Sequence, residues 1–131
     1  MAEATLTELR RNVIEETDLS VWEIPQALSD VTDGFLTVLY AREIQIDSGV
    51  ALVALGGYGR SELSPSSDLD LMLVHNDRDD IDSLADRIWY PLWDEGFKLG
   101  HSVRSVDQTL RLAATDLETA TSLLNARLVT G

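Results

Sequence analysis

Residues 50–71 read Val50-Ala51-Leu52-Val53-Ala54-Leu55-Gly56-Gly57-Tyr58-Gly59-Arg60-Ser61-Glu62-Leu63-Ser64-Pro65-Ser66-Ser67-Asp68-Leu69-Asp70-Leu71. The apolar run Val50 to Leu55, stopped by Gly56-Gly57, predicts a strand buried on both faces and followed by a tight turn. Asp68 to His75 predicts a second strand, bounded by Pro65-Ser66-Ser67 and by Asn76-Asp77. Asp68 and Asp70 fall at alternate positions of an extended chain, so both point to one side, roughly 7 Å apart. Carboxylates so placed repel one another unless a cation lies between them, and hard oxygen ligands suit magnesium. Turn chemistry or a solvated strand edge explains the same spacing without a metal. The glycines supply either a turn needing positive φ or a backbone that phosphate can approach through free amides.

Outward from this stretch the chain alternates helices and strands. Thr5 and Glu8 have capping-box spacing, with Leu6, Leu9 and Val13 following at helical intervals. Pro25 marks a second helix start, and Leu28, Val31, Phe35, Val38 and Leu39 give it an apolar stripe that ends around Ile44 to Ser48. Downstream, Ile81, Leu84, Ala85, Ile88 and Leu92 share one helical stripe. Pro91 is expected to bend or end that helix, because it has no amide to give Arg87, and Gly96 to terminate it. Phe97 to Ser105 predicts a third strand, interrupted by Gly100. Ser105 with Gln108 and Thr115 with Glu118 have capping-box spacing, so two successive helices are expected to complete the chain. The last helical pattern runs to Gly131 without a finishing turn, which reads as a piece of a longer protein.

The 131 residues suit one domain, with helices over 1–48 and a core over 49–131. No cysteine is present, which excludes disulfides and thiolate zinc sites and points to a cytoplasmic setting. No apolar run approaches the ~20 residues needed to cross a bilayer, and the acidic N-terminus is unlike a signal peptide. A formal net charge of −13 disfavours nucleic acid as a partner, although a divalent metal can carry a nucleoside triphosphate into an acidic site. Competing motifs fail. Glu62 stands where a dinucleotide fingerprint needs glycine, no Gly-Lys-Ser or Gly-Lys-Thr is present, and Asp77, Asp79 and Asp82 lack the spacing of a calcium loop.

The ordered string Gly-Gly-Tyr-Gly-Arg, then Glu-Leu-X-Pro-X-Ser-Asp-X-Asp-Leu, resembles the signature of the PII-protein uridylyltransferases, within the polymerase-β-like nucleotidyltransferase superfamily. Tyr90-Pro91-Leu92-Trp93-Asp94, Gly100-His101-Ser102-Val103-Arg104 and Ala126-Arg127 extend the resemblance, which covers about residues 50 to 131. It implies an α/β (α+β) fold, a small mixed sheet flanked by helices, and transfer of a nucleotidyl group from UTP, or ATP in some relatives, to a tyrosine hydroxyl of the PII signalling protein. By position, Gly56 and Gly57 would contact the triphosphate while Asp68 and Asp70 bind magnesium as the catalytic carboxylates.

Further candidates are weaker. Ser67 offers phosphate a hydroxyl or caps its own turn, and Arg60 and Arg104 offer guanidinium groups to the triphosphate, with an ion pair to Glu62 the alternative for Arg60. The superfamily's third carboxylate has no match within Lys98 to Arg104, and the nearest acid, Asp107, also reads as a first-turn acid after a Ser105 cap. Arg127 and Lys98 read as structural, Trp89, Tyr90 and Trp93 as core packing, and His101 as a packed residue or a ligand. No His-Asp dipeptide occurs, so uridylyl removal is expected to be absent. Two functions stand: a nucleotidyl-transfer domain incomplete for turnover, and a non-catalytic nucleotide-sensing or interaction module derived from one.

Overall fold

The computed structural model describes residues 4–15, 18–44, 49–65 and 67–131. Two helices, α1 (Leu6–Glu15) and α2 (Ile24–Glu43), precede strand β1 (Val50–Ala54). A four-residue helix α3 (Gly56–Gly59) leads toward β2 (Leu69–His75), and α4 (Ile81–Asp94) crosses to β3 (Leu99–Ser105). Then come α5 (Val106–Thr115), α6 (Leu117–Leu123) and β4 (Arg127–Thr130).

The strands form one mixed sheet in the order β3-β2-β1-β4. β1 lies antiparallel to β2 and to β4, while β2 and β3 run parallel, as a strand-helix-strand crossover through α4 requires. Leu69, Leu71 and Leu73 of β2 and Leu52 and Ala54 of β1 are at most 1% exposed and join Leu28, Leu36, Ile88 and Leu92 in the core. The alternate residues of β2, beginning with Asp70, point to the opposite face. There α5 and α6 are the nearest helices, and neither contains a buried residue.

The mixed sheet flanked by helices is the expected fold, with local corrections. β1 alternates buried with partly buried residues instead of being sealed on both faces, and Gly56–Gly59 forms a helical turn. The buried stripe of α2 is Leu28, Thr32, Leu36, Leu39 and Tyr40, and Val38 is exposed; the end of the stripe, at 45–48, lies outside the described residues. α4 continues through Pro91 to Asp94, because Ile88, Trp89 and Leu92 bury the last turns and exposed Arg87, which loses one donor, has water at hand. α6 is capped by Asp116, whose carboxylate takes Glu118 N–H at 3.1 Å and the Thr119 hydroxyl at 2.7 Å. Thr115 instead ends α5, donating to the Arg111 carbonyl at 3.0 Å. The helical pattern predicted to reach Gly131 stops at Leu123, and β4 takes its place.

Candidate active site

Asp70 sits on the second residue of β2, paired in register with Gly100 of β3, and its carbonyl accepts Leu55 N–H at 2.9 Å where β1 runs into α3. Its side chain therefore stands between two glycines. A Cβ on Gly100 would lie 2.2 Å from Asp70 Oδ1, and a Cβ on Gly56 would lie 2.6 Å from Oδ2. Gly56 also has φ +57°, a conformation other residues adopt at a cost. The carboxylate thus occupies a cradle that side chains would fill. Among the described residues it accepts no hydrogen bond. Burial raises the Asp70 pKa above the ordinary carboxylate range, and the charge of Asp68 raises it further. A half-buried acid with no donor and a like-charged neighbour is an arrangement that a hard divalent cation completes, and magnesium fits this donor set. Among the described residues no group of three acid, histidine or cysteine side chains converges to hold a metal.

The glycine turn is braced from behind. Tyr58, 1% exposed, donates its hydroxyl in a short hydrogen bond to Asp33 Oδ1 of α2. Arg127 of β4 clamps the same carboxylate, Nη1 donating to Oδ2 at 2.7 Å and Nη2 to Oδ1 at 3.2 Å. Nη2 also donates to the Tyr58 carbonyl at 3.1 Å, and the guanidinium lies 5.2 Å from the Tyr58 ring centroid. Burial and then the Asp33 hydrogen bond raise the Tyr58 pKa, so the phenol stays protonated. Gly59 closes the brace: a Cβ there would meet the Asn125 carbonyl oxygen at 2.1 Å.

Two open depressions touch the site, one at Gly56 and one at Asp68. One, of about 640 Å³, has Gly56 and Arg60 on one wall and Glu118, Ser122 and Asn125 on the other. The second, of about 490 Å³, runs between α1 and the 95–98 turn and has Ser67 and Asp68 at its edge.

The remaining sequence candidates distribute unevenly. Gly57 lies beside Gly56, with room for a Cβ, so space does not explain its being glycine. Arg60 is exposed and pairs with Glu62 at 3.1 Å. The Ser67 hydroxyl caps its turn, accepting Ser64 N–H at 3.0 Å and meeting Ser64 Oγ at 2.6 Å. Arg104 shares the Asp70 face, but it stands opposite Val74, four residues or on the order of 13 Å along the sheet. There the Asp116 pKa is lowered by the Thr119 hydrogen bond first and by the Arg104 charge least. Asp107 lies beyond the far end of β3, exposed and paired with Arg111 at 3.2 Å, in the first turn after a complete Ser105–Gln108 capping box. The structure does not bring it to the Asp68 and Asp70 pair. Arg127 is structural, whereas Lys98 is exposed and makes no ion pair or side-chain hydrogen bond among the described residues. Of the aromatic cluster only Trp89 is core; Trp93 and Tyr90 are 38% and 57% exposed, and the rings of Trp89 and Trp93 pack on His101 at 5.6 and 5.1 Å. Sequence reasoning missed Gly100 as the partner of Asp70, though a glycine inside a strand pattern signals close approach. Nothing local pairs Asp33 with Arg127, which are 94 positions apart.

A mixed sheet flanked by helices, with two carboxylates at the head of a central strand beside a glycine turn, defines a small nucleotidyltransferase-like α/β domain. No protein-family model matches the chain. It is similar to the bifunctional uridylyltransferase/uridylyl-removing enzyme of Streptomyces coelicolor, 50% identical over 108 residues that are 81% of this chain and 13% of the relative. The enzymes of the same description from Mycobacterium tuberculosis and Phenylobacterium zucineum are 49% and 39% identical, over 64% and 83% of this chain and 11% and 13% of their own lengths. The chain belongs to the bifunctional uridylyltransferase/uridylyl-removing enzyme family, of whose members it spans a domain-sized part. Among the described residues no helix is long and apolar enough to cross a membrane.

Proposed function

We propose that this chain is the uridylyl-transfer domain of such an enzyme, acting with magnesium on UTP, or ATP, and a tyrosine hydroxyl of the PII nitrogen-signalling protein in the cytoplasm. The observation that carries the reading is the Asp70 carboxylate cradled between Gly56 and Gly100, donor-free and beside Asp68. Two positions have given up their side chains to make room for one acid, which core packing does not call for.

Asp68 and Asp70 would hold the cation, and the amides of Gly56 and Gly57 would face the triphosphate. The Asp33–Tyr58–Arg127 brace keeps that turn in place against Asp70. Magnesium, when bound, neutralises phosphate charge and lowers the pKa of an attacking hydroxyl. The acceptor oxygen forms a bond to the α-phosphorus, the bond from that phosphorus to the bridging oxygen breaks, pyrophosphate leaves and the hydroxyl proton passes to solvent. Holding the acceptor in line is worth roughly 7 to 11 kcal/mol of the barrier. Uridylyl removal is not assigned to this chain, which has no His-Asp dipeptide.

Calorimetric titration with UTP and ATP tests the reading. Binding should require magnesium and vanish in Asp70→Asn; binding that persists in chelator or in that variant would overturn it. One observation favours a second reading, a nucleotide-sensing module: no third acid converges on the pair among the described residues. Labelled nucleotide incorporated into PII excludes that second reading; magnesium-dependent binding without incorporation supports it.

A further inference from the structure

Of the ten lysines and arginines in a chain of net charge −13, most are engaged. Arg42, Arg60, Arg78, Arg111 and Arg127 pair with carboxylates. Arg87 donates to the Glu43 carbonyl. Arg10, 6% exposed, donates to the Ser64 carbonyl at 3.1 Å and lies 5.1 Å from the Phe97 ring centroid. Among the described residues, Arg11, Lys98 and Arg104 make neither ion pair nor side-chain hydrogen bond, and Arg104 lies on the other side of the sheet, beside Thr109 and Ser122 under α5 and α6. Arg11 and Lys98 line one groove, between α1 and the 95–98 turn, which Asp68 also lines.

That groove is built. Arg10 ties α1 to the loop before Asp68, and Glu95 accepts both Thr7 N–H at 3.0 Å and the Thr7 hydroxyl at 3.1 Å, tying α1 to the turn before β3. Ile14 and Phe97 give the groove apolar surface, and its volume of about 490 Å³ lies within the roughly 300 to 1,000 Å³ of ligand sites. Glu15, Glu95 and Asp68 also line it, so its charge is mixed rather than uniformly basic, with Glu95 engaged by Thr7 and Asp68 at the proposed cation site. The depression beside Gly56 shares no lining residue with it; Asp68 lines this groove, while Gly56, which abuts the Asp70 carboxylate, lines the other. A cation on the Asp68 and Asp70 pair would face both, with room for triphosphate on the glycine side and for an acceptor on the other.

We infer that this groove is the acceptor subsite and that it takes an acidic, tyrosine-bearing peptide segment. The phenol lies along Phe97 and Ile14 with its hydroxyl toward Asp68, and carboxylates flanking the tyrosine meet Arg11 and Lys98. An acidic segment is the occupant that unpaired cations select, because elsewhere on this surface net negative charge repels it. The inference rests on the uridylyl-transfer reading above.

The test uses the 131-residue chain and a capped, fluorescently labelled Glu-Glu-Tyr-Glu-Glu peptide, with anisotropy as readout. Arg11→Glu/Lys98→Glu should weaken peptide binding about tenfold or more, and added salt should erase most of the difference. Magnesium-dependent UTP and ATP affinity should stay within about twofold in that variant, while Asp70→Asn loses triphosphate and keeps the peptide. Arg11→Gln/Lys98→Gln, which removes charge without reversing it, should fall between, with unchanged melting temperature, since both side chains are exposed. Peptide binding that is absent from the wild type or indifferent to either double variant overturns the inference. So does charge reversal that weakens triphosphate instead, which would place nucleotide in the groove. Failure of wild type to bind triphosphate, with peptide binding intact and sensitive to Arg11 and Lys98, would sink the transfer reading and leave an acidic-peptide groove.

Discussion

On one face of the sheet Leu52, Leu71 and Leu73 are at most 1% exposed and meet the buried stripes of α2 and α4; on the other stand Asp70, Ser102 and Arg104, under helices that bury no residue. The same strands supply both, because successive side chains of β2 point opposite ways. The covered face contributes most of the hydrophobic stabilisation, so the other is released to hold a half-buried carboxylate. The division is sharpest at two glycines that both lack room for a Cβ. Gly59 would press on backbone, the carbonyl oxygens of Asn125 and Ala54 at 2.1 and 2.9 Å, whereas Gly100 would press on the end of one side chain, Asp70. Backbone shifts only with its elements, while a carboxylate can turn aside, so equal crowding should cost fold in one place and function in the other.

The largest effect is expected from Gly59→Ala. It forces α3 away from the segment entering β4 and should cost about 3 kcal/mol, a fall in melting temperature of about 10 °C. Melting within about 2 °C of wild type would show the two segments to be loosely joined and would blur the contrast between the glycines. Next comes the brace. Arg127→Met leaves Asp33 facing Tyr58 without its cation, and because both partners are 29% exposed the cost should be about 2 kcal/mol. A double-mutant cycle with Tyr58→Phe should show a coupling of about 1 kcal/mol, and strict additivity would mean that the three side chains do not act as a unit.

The covered face was the readable one. The apolar run Val50 to Leu55, the stripe from Ile81 to Leu92 and the Ser105–Gln108 box are local signals, and the structure realises each of them. β4 was not legible because its partner β1 lies more than seventy positions upstream and its four residues follow a helical pattern without a break. The α6 cap was misplaced by one residue because Thr115 and Asp116 both offer side-chain oxygens, and the carboxylate makes the stronger bond. At the site, Asp68, Asp70 and Gly56 stood out as a motif. The role of Gly100 emerged only with strand register, since opposing Asp70 is a property of the β2–β3 pairing.

Gly100→Ala tests the other half of the contrast. Moving the Asp70 carboxylate off its position should weaken magnesium-dependent triphosphate binding about tenfold or more, while stability changes by under about 1 kcal/mol. A large loss of stability instead would mean that Asp70 cannot turn aside and that the two glycines are equivalent.

The smallest effect on stability, and the one whose sign is most informative, is expected from Asp70→Asn in chelator. Burial and Asp68 raise the Asp70 pKa, so the folded chain holds that proton at a pH where the unfolded chain has released it. Between the ordinary carboxylate value and the raised one, wild type therefore loses stability as pH rises, and the asparagine variant does not. The two should melt together near pH 3, where the acid is protonated in both states. At pH 7 the variant should melt at the same temperature or up to about 3 °C higher. Magnesium with triphosphate should reverse the order, stabilising wild type by mass action and leaving the variant unmoved. A variant that melts well below wild type at neutral pH without metal would show that the Asp70 charge stabilises the fold. The acid would then belong with the covered face, and the glycine cradle would be packing rather than a site.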